Sequence, residues 1–219
     1  LKKKIGILFD MDGVIINNHT FHFKAWAQIF KENNKVLTTE DYRENMNGRT
    51  LSELVSYIFG EQLSLEKTKE IGLYKEELYR KFYQPYLAPT EGLLPFLSQL
   101  NAEGIPMVIG TSAPKENVNF TLDGLGIRHY FPHVLDDRSV TKGKPHPEIY
   151  QKCAAAVGLP NEQCIVFEDA ISGLKAGKAA NSKTIALATS HFRAELAADL
   201  IIDDFTQINI EQLYSLFEN

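Results

Sequence analysis

The stretch Ile5-Gly6-Ile7-Leu8-Phe9-Asp10-Met11-Asp12-Gly13-Val14 runs five residues without a charge, then sets two carboxylates one residue apart ahead of a glycine. So short and continuous an apolar run suits a strand buried on both faces, and Asp-Gly directly after it is a turn signal. The arrangement recurs at Met107 to Ile109, Val134 to Leu135, Ile165 to Phe167, Thr184 to Ala188 and Leu200 to Ile202, with turn residues and helical patterns between the runs. Flanking Gly, Pro, Asp and Thr favour strands over fragments of buried helix. Strands alternating with helices predict an α/β fold, a parallel sheet flanked by helices on both faces.

One region breaks the alternation. From about Asn17 to Tyr86 the apolar spacing is helical, as in Phe21, Ala25, Trp26, Ile29 and Phe30, and again in Leu51, Leu54, Val55 and Ile58. An all-helical block between the first strand and the rest predicts two domains: residues 1–16 with 87–219, and residues 17–86. The chain would cross between them near Asn17 and near Leu87-Ala88-Pro89-Thr90, which makes a hinge.

Composition narrows the function. The 219 residues are 44% hydrophobic and 23% charged, which excludes disorder and coiled coil. The net charge of −5 comes without a basic block longer than Lys2-Lys3-Lys4, so no nucleic-acid partner is expected. No apolar run reaches the length of a membrane span or a signal-peptide core, so no membrane partner is expected and the expected location is cytoplasmic. Cys153 and Cys164 lack the paired spacing of a zinc site and read as buried, reduced thiols. Monomer and weak dimer are equally compatible with the sequence.

Four places carry residues suited to chemistry. Ligands of a parallel sheet bind outside the carboxyl ends of its strands, so Asp10 and Asp12 fall at the rim, where Gly13 permits a sharp turn. An oxygen-held metal such as Mg²⁺ would keep one carboxylate ionised while the other carries a proton; a solvated Asp-Gly turn is the plainer alternative. After Met107 to Ile109 come Thr111 and Ser112, with Pro114 opening a helix, which makes an anion cradle or a helix capped by Ser112. Lys144 stands in Gly143-Lys144-Pro145-His146-Pro147-Glu148-Ile149-Tyr150, where the two prolines are expected to hold the backbone extended, with Pro147 then able to occupy the first helical turn, and so to aim the lysine at a phosphate; an exposed loop lysine is the plainer reading. Glu168-Asp169 ends the run Cys164 to Phe167 and adds hard oxygen ligands, or acids that favour a helix N-terminus. Together the four are far more specific than any one of them, because all should gather at one sheet edge.

In this combination the sequence resembles the haloacid dehalogenase (HAD) superfamily, in the branch of β-phosphoglucomutase and the sugar-phosphate phosphatases. Asp10-Met11-Asp12-Gly13 looks like the first motif, Thr111 the second, Lys144 the third and Glu168-Asp169 the fourth. The resemblance implies a Rossmann-like core with an inserted helical cap, Mg²⁺ as cofactor and an aspartyl-phosphate intermediate. It implies Asp10 as nucleophile and Asp12 as acid and base, with Mg²⁺ held by Asp10, the Asp12 carbonyl and Asp169, assisted by Glu168. Thr111 and Lys144, with Ser112, would grip the phosphoryl group.

Substrate contacts are expected from the cap: Asn18, His22, Gly48, Arg49, Thr50 and Lys75. His22 resembles a mutase position and Lys75, with Tyr79 four residues on, the family's cap lysine, whereas Asn47-Gly48-Arg49-Thr50 and Asn17-Asn18 depart from the mutase pattern. The leading expectation is a Mg²⁺-dependent phosphatase of a small phosphorylated metabolite, a sugar phosphate in the first instance. β-Phosphoglucomutase, inorganic pyrophosphatase and a receiver-like, non-enzymatic phosphate- and Mg²⁺-binding module are the alternatives. A module that only stores phosphate needs no second acid at Asp12 and no helical insertion.

Overall fold

The computed structural model describes residues 4–46 and 50–218, less the side chain of Glu44. Six strands form one sheet: β1 (Gly6–Phe9), β2 (Met107–Gly110), β3 (His133–Leu135), β4 (Cys164–Glu168), β5 (Lys183–Leu187) and β6 (Leu200–Ile202). Their order is β3-β2-β1-β4-β5-β6 and every neighbouring pair is parallel. Each apolar run read from the sequence is one of these strands. β1, β2 and β4 are buried throughout, while the edge strands β3 and β6 are partly exposed, which is why their runs are shorter.

Parallel neighbours need crossovers, and helices supply them. Among the described residues the α-helices are α1 (His19–Glu32), α2 (Thr39–Asp41), α3 (Leu51–Phe59), α4 (Leu65–Tyr83), α5 (Leu93–Ala102), α6 (Lys115–Gly124), α7 (Glu148–Ala156), α8 (Ile171–Ala179) and α9 (Ile210–Ser215), with short 3₁₀ and π-helical turns between elements. Phe9 and Phe167 stack at 5.1 Å, joined by Phe96 and Phe205. Leu8, Val108 and Val166 pack instead with Tyr150, Cys153 and Cys164. Both cysteines are buried and free, and burial pushes each thiol up to about 12.

The chain divides into two compact units, one running to Asn17 and resuming at Leu87, the other spanning Asn18–Tyr86. The second is all-helical. Ala25, Trp26, Ile29 and Phe30 of α1, Leu54, Val55 and Ile58 of α3, and Tyr79 and Tyr83 of α4 are buried, matching the helical periodicity of the sequence. Thr50 and Glu53 form a capping box at the start of α3, and Gly60 ends it in the left-handed conformation. Gly72 lets α4 approach α3, since a Cβ there would lie 2.5 Å from the Leu51 side chain. Among the described residues no helix is long and apolar enough to cross a membrane.

Candidate active site

The site is built where the strands run out. Asp10 follows β1 directly, and its N–H donates to the Phe167 carbonyl at 2.9 Å, so the carboxylate emerges at the end of β1 beside β4. The chain then folds tightly: the Met11 carbonyl accepts from the N–H groups of Val14, Ile15 and Ile16, and Gly13, at φ 76°, donates to Ile16 at 2.7 Å. Met11, Val14, Ile15 and Ile16 are all buried and pin this turn from below, leaving Asp12 half-buried at the rim.

Lys144 is the hub. Its ammonium lies 2.5 Å from Asp10 Oδ1, 2.6 Å from Glu168 Oε1 and 3.2 Å from the Gly110 carbonyl, above the Tyr150 ring. The exposed loop lysine considered from sequence is thus replaced by one whose side chain is 9% exposed. Nor do Pro145 and Pro147 hold the backbone extended. The Lys144-Pro145 peptide is cis, His146 N–H closes a turn onto the Gly143 carbonyl at 3.0 Å, and Pro147 has helical dihedrals as the N-cap of α7. Glu148 secures this loop by accepting from the N–H groups of Thr141 and Lys142 and from the Thr141 hydroxyl. Its carboxyl is lowered to about 2, chiefly by Lys152 and then by these loop donors.

Glu168 and Asp169 are 1% and 3% exposed. Four donors meet the Glu168 carboxylate: Lys144 and the Tyr150 hydroxyl, both at 2.6 Å on Oε1, and the N–H groups of Asp169 and Ala170 at 3.0 and 3.1 Å on Oε2. The carboxylate lies flat against the start of α8, and Gly173 makes room for it: a Cβ there would sit 1.7 Å from Oε1. Tyr150 stays a phenol, its pKa raised by burial and by Glu168. It belongs to the Lys144 motif, yet its contact with Glu168 depends on the packing of α7 and was not foreseen.

Thr111 is 2% exposed and its N–H donates to the Leu135 carbonyl at 2.9 Å. Its hydroxyl oxygen accepts from Ala113 N–H at 3.1 Å, and Pro114 is the N-cap of α6, so Ser112 is exposed and does not cap that helix.

Asp10, Glu168 and Asp169 each bring a carboxylate oxygen within 4.8 Å of the others. Burial, first of all, pushes the Asp10 carboxyl well above its usual range; Lys144 opposes this, while Glu168, Asp169 and Asp12 add to it. Burial works against the Lys144 charge as well, but Asp10 and Glu168 outweigh it and hold the ammonium pKa above its ordinary value. Three buried carboxyl groups converge beside one ammonium, and each of the three offers an oxygen as donor atom. That donor set fits a hard divalent cation.

The helical unit gathers a polar cluster of its own. Lys75 Nζ lies 2.7 Å from His22 Nδ1 and donates to Glu76 at 2.9 Å. An ammonium has only protons to give, so Nδ1 accepts. His22 stacks on Tyr79 with centroids 4.0 Å apart, and the Asn18 amide lies 3.2 Å from His22 Nε2 and donates to the Tyr79 hydroxyl at 2.7 Å. Asn18, His22 and Lys75 are thus brought together, with Tyr79, four residues after Lys75, as a fourth member. Thr50 stands apart, engaged in its capping box, and Gly48 and Arg49 lie outside the described residues.

Residues 7–187 match the sequence profile of the haloacid dehalogenase-like hydrolases. The chain is 29% identical over 206 residues to validoxylamine A 7'-phosphate phosphatase of Streptomyces hygroscopicus subsp. limoneus, covering 92% of this chain and 94% of that one. It is 30% identical over 225 residues to β-phosphoglucomutase of Bacillus subtilis strain 168, covering 97% and 95%. Among solved structures it is similar to a HAD hydrolase of family IA, variant 3, from Entamoeba histolytica HM-1:IMSS, with a TM-score of 0.93, 29% identity, and coverage of 98% and 100%.

Proposed function

Since the chain belongs to the haloacid dehalogenase-like hydrolases, a family of enzymes, we propose that it is a Mg²⁺-dependent phosphatase of a small phosphorylated metabolite, a sugar phosphate in the first instance. The observation that carries this reading is the buried meeting of Asp10, Lys144, Glu168 and Asp169 at the ends of β1 and β4. Phosphoryl transfer needs little covalent chemistry beyond a nucleophile held in line and charge neutralised around it, and this cluster offers both.

In the proposed reaction an Asp10 oxygen bonds to phosphorus as the bond to the leaving oxygen breaks, and Asp12 gives that oxygen its proton. In the second half Asp12 takes a proton from water, the water oxygen bonds to phosphorus, and the aspartyl–phosphorus bond breaks to release orthophosphate and restore Asp10. Lys144 and Thr111, with Ser112 beside it, hold the phosphoryl oxygens. Lys144 also favours the ionised form of Asp10, which burial opposes. Mg²⁺, held by Asp10, Asp169 and the Asp12 carbonyl with Glu168 assisting, supplies charge neutralisation at the phosphoryl group. Glu168, already met by four donors, keeps Lys144 in place. Asn18, His22 and Lys75, which their own unit assembles, are the proposed contacts to the rest of the substrate, together with Gly48, Arg49 and Thr50.

A second reading, β-phosphoglucomutase, is supported by the Bacillus subtilis relative. One ³¹P NMR experiment separates the two: β-glucose 1-phosphate with enzyme, Mg²⁺ and a trace of the 1,6-bisphosphate, followed by a panel of sugar phosphates and pyrophosphate. Orthophosphate released from a sugar phosphate is the expected result. A glucose 6-phosphate signal makes the enzyme a mutase, and unchanged phosphorus across the panel overturns both readings.

A further inference from the structure

Just past β5 stand two adjacent hydroxyl residues, Thr189 and Ser190, to which the reaction above assigns nothing. Thr189 Oγ1 donates to the Gly13 carbonyl at 2.6 Å, and Ser190 Oγ donates to the Asp169 carbonyl at 2.9 Å. The acceptors lie in two different loops. One follows β1 and carries Asp10 and Asp12; the other follows β4 and carries Asp169. Main-chain pairing at this edge runs as far as Asp10 N–H to the Phe167 carbonyl and Ala188 N–H to the Ile202 carbonyl, both 2.9 Å. The hydroxyls act one step beyond it. In the order β1-β4-β5, Thr189 reaches past the end of β4 to the loop of β1, so one short segment ties three strand ends together.

We propose that Thr189 and Ser190 are positioning residues that set the spacing of the acid-bearing loops, and so decide how strongly the site prefers a small divalent cation to a larger one. This rests on the cation-binding part of the proposed function. Carboxylate oxygens of Asp10, Glu168 and Asp169 lie within 4.8 Å of one another, and like charges so close push their loops apart. A bond from a neutral hydroxyl to a main-chain carbonyl resists that without adding charge. Mg²⁺ demands near-ideal octahedral ligands at about 2.0–2.1 Å, whereas Ca²⁺ accepts about 2.3–2.6 Å and a flexible shell. Slackening the frame therefore penalises Mg²⁺ more than Ca²⁺.

The test is calorimetric titration of the full chain with MgCl₂ and, separately, CaCl₂, for wild type, Thr189→Val, Ser190→Ala, the double variant and Thr189→Ser. Valine keeps the shape of threonine and drops the hydroxyl; serine keeps the hydroxyl. Loss of such outer partners costs about tenfold or more in metal affinity, so Mg²⁺ binding should weaken at least about tenfold in Thr189→Val and in the double variant. Ca²⁺ binding should change by less than about threefold, and Thr189→Ser should stay within about threefold of wild type for both ions. Should the double variant not fold, the single variants carry the comparison. Unchanged affinities, or Mg²⁺ and Ca²⁺ affinities falling by the same factor, overturn the proposal while the cation site stands. A wild type that takes neither ion overturns the cation site and this proposal with it.

Discussion

Lys144 and Lys75 are buried to the same degree, each side chain 9% exposed, one in the sheet unit and one in the helical unit. Their surroundings differ. Lys144 is held between two carboxylates, Asp10 and Glu168, whose side chains are 9% and 1% exposed. Lys75 meets the His22 ring nitrogen and Glu76, which is 23% exposed, and lies 5.9 Å and 5.7 Å from the rings of Trp26 and Tyr79. Around Lys144 the partners are themselves dehydrated, so each charge depends on the others. Around Lys75 the Glu76 carboxylate keeps access to water, and His22, Trp26 and Tyr79 offer a ring nitrogen and aromatic faces. The sheet unit holds a buried cluster of mutually dependent charged groups. The helical unit stores a hydrogen-bonding surface.

Five substitutions break or sharpen this contrast. The largest effect is expected from Asp10→Asn, which should lower kcat on the order of 10³-fold or more by removing the nucleophile. Its melting midpoint at pH 7 should not fall below that of wild type, because burial already works against the Asp10 charge. Turnover retained in this variant breaks the proposed mechanism. Next comes Gly173→Ala, whose methyl group would collide with a carboxylate held by four donors. Displacing Glu168 moves Lys144, and misplacement by about 1 Å costs roughly 10²-fold in rate.

The lysines themselves give the direct comparison. Lys144→Met leaves two buried carboxylates without their cation and should cost about 3 kcal/mol, a fall of roughly 6–12 °C in melting midpoint. Lys75→Met leaves a partly solvated acid and an imidazole nitrogen without their ammonium partner and should cost about 1 kcal/mol, roughly 2–4 °C. Equal losses would break the contrast. The smallest effect concerns the loop that carries Lys144. The Glu148 carboxyl is lowered from its ordinary 4.5 to about 2, so its stabilising contribution is complete above pH 4.5 and disappears as pH falls through about 2. Glu148→Gln should therefore melt below wild type at pH 6, and the gap should close as the two are titrated toward pH 2.

Most of the sheet was legible because strands buried on both faces leave a plain mark, a short unbroken apolar run, and all six runs are strands. Asp10, Thr111, Lys144 and Glu168-Asp169 were legible for a related reason: each follows a strand or opens a helix, and parallel strands deliver such residues to one edge. Pro145 misled, since ring geometry restricts the chain without choosing between an extended segment and a turn, whereas Pro147 has the helical dihedrals expected of a proline opening α7. Ser112 misled as a helix cap because Thr111, one residue earlier, receives the Ala113 N–H and the helix starts later, at Lys115.

The sequence by itself determined the alternation of strand and helix, the helical character of the insertion, and the identity of the acids, hydroxyl and lysine at the strand ends, because periodicity and strand termination are local properties. Only the tertiary structure decided that Tyr150 joins Lys144 on one oxygen of Glu168, that Gly173 makes room for that carboxylate, that Tyr79 completes the His22 cluster, and that Thr189 and Ser190 tie two acid-bearing loops to β5. Apart from Gly173, five residues beyond Glu168, each of these joins residues well separated in the chain through a contact a few ångströms long. A tyrosine, a glycine or a hydroxyl acquires such a role from what packs against it, and that is settled by how sheet and helices fit together rather than by any pattern along the chain.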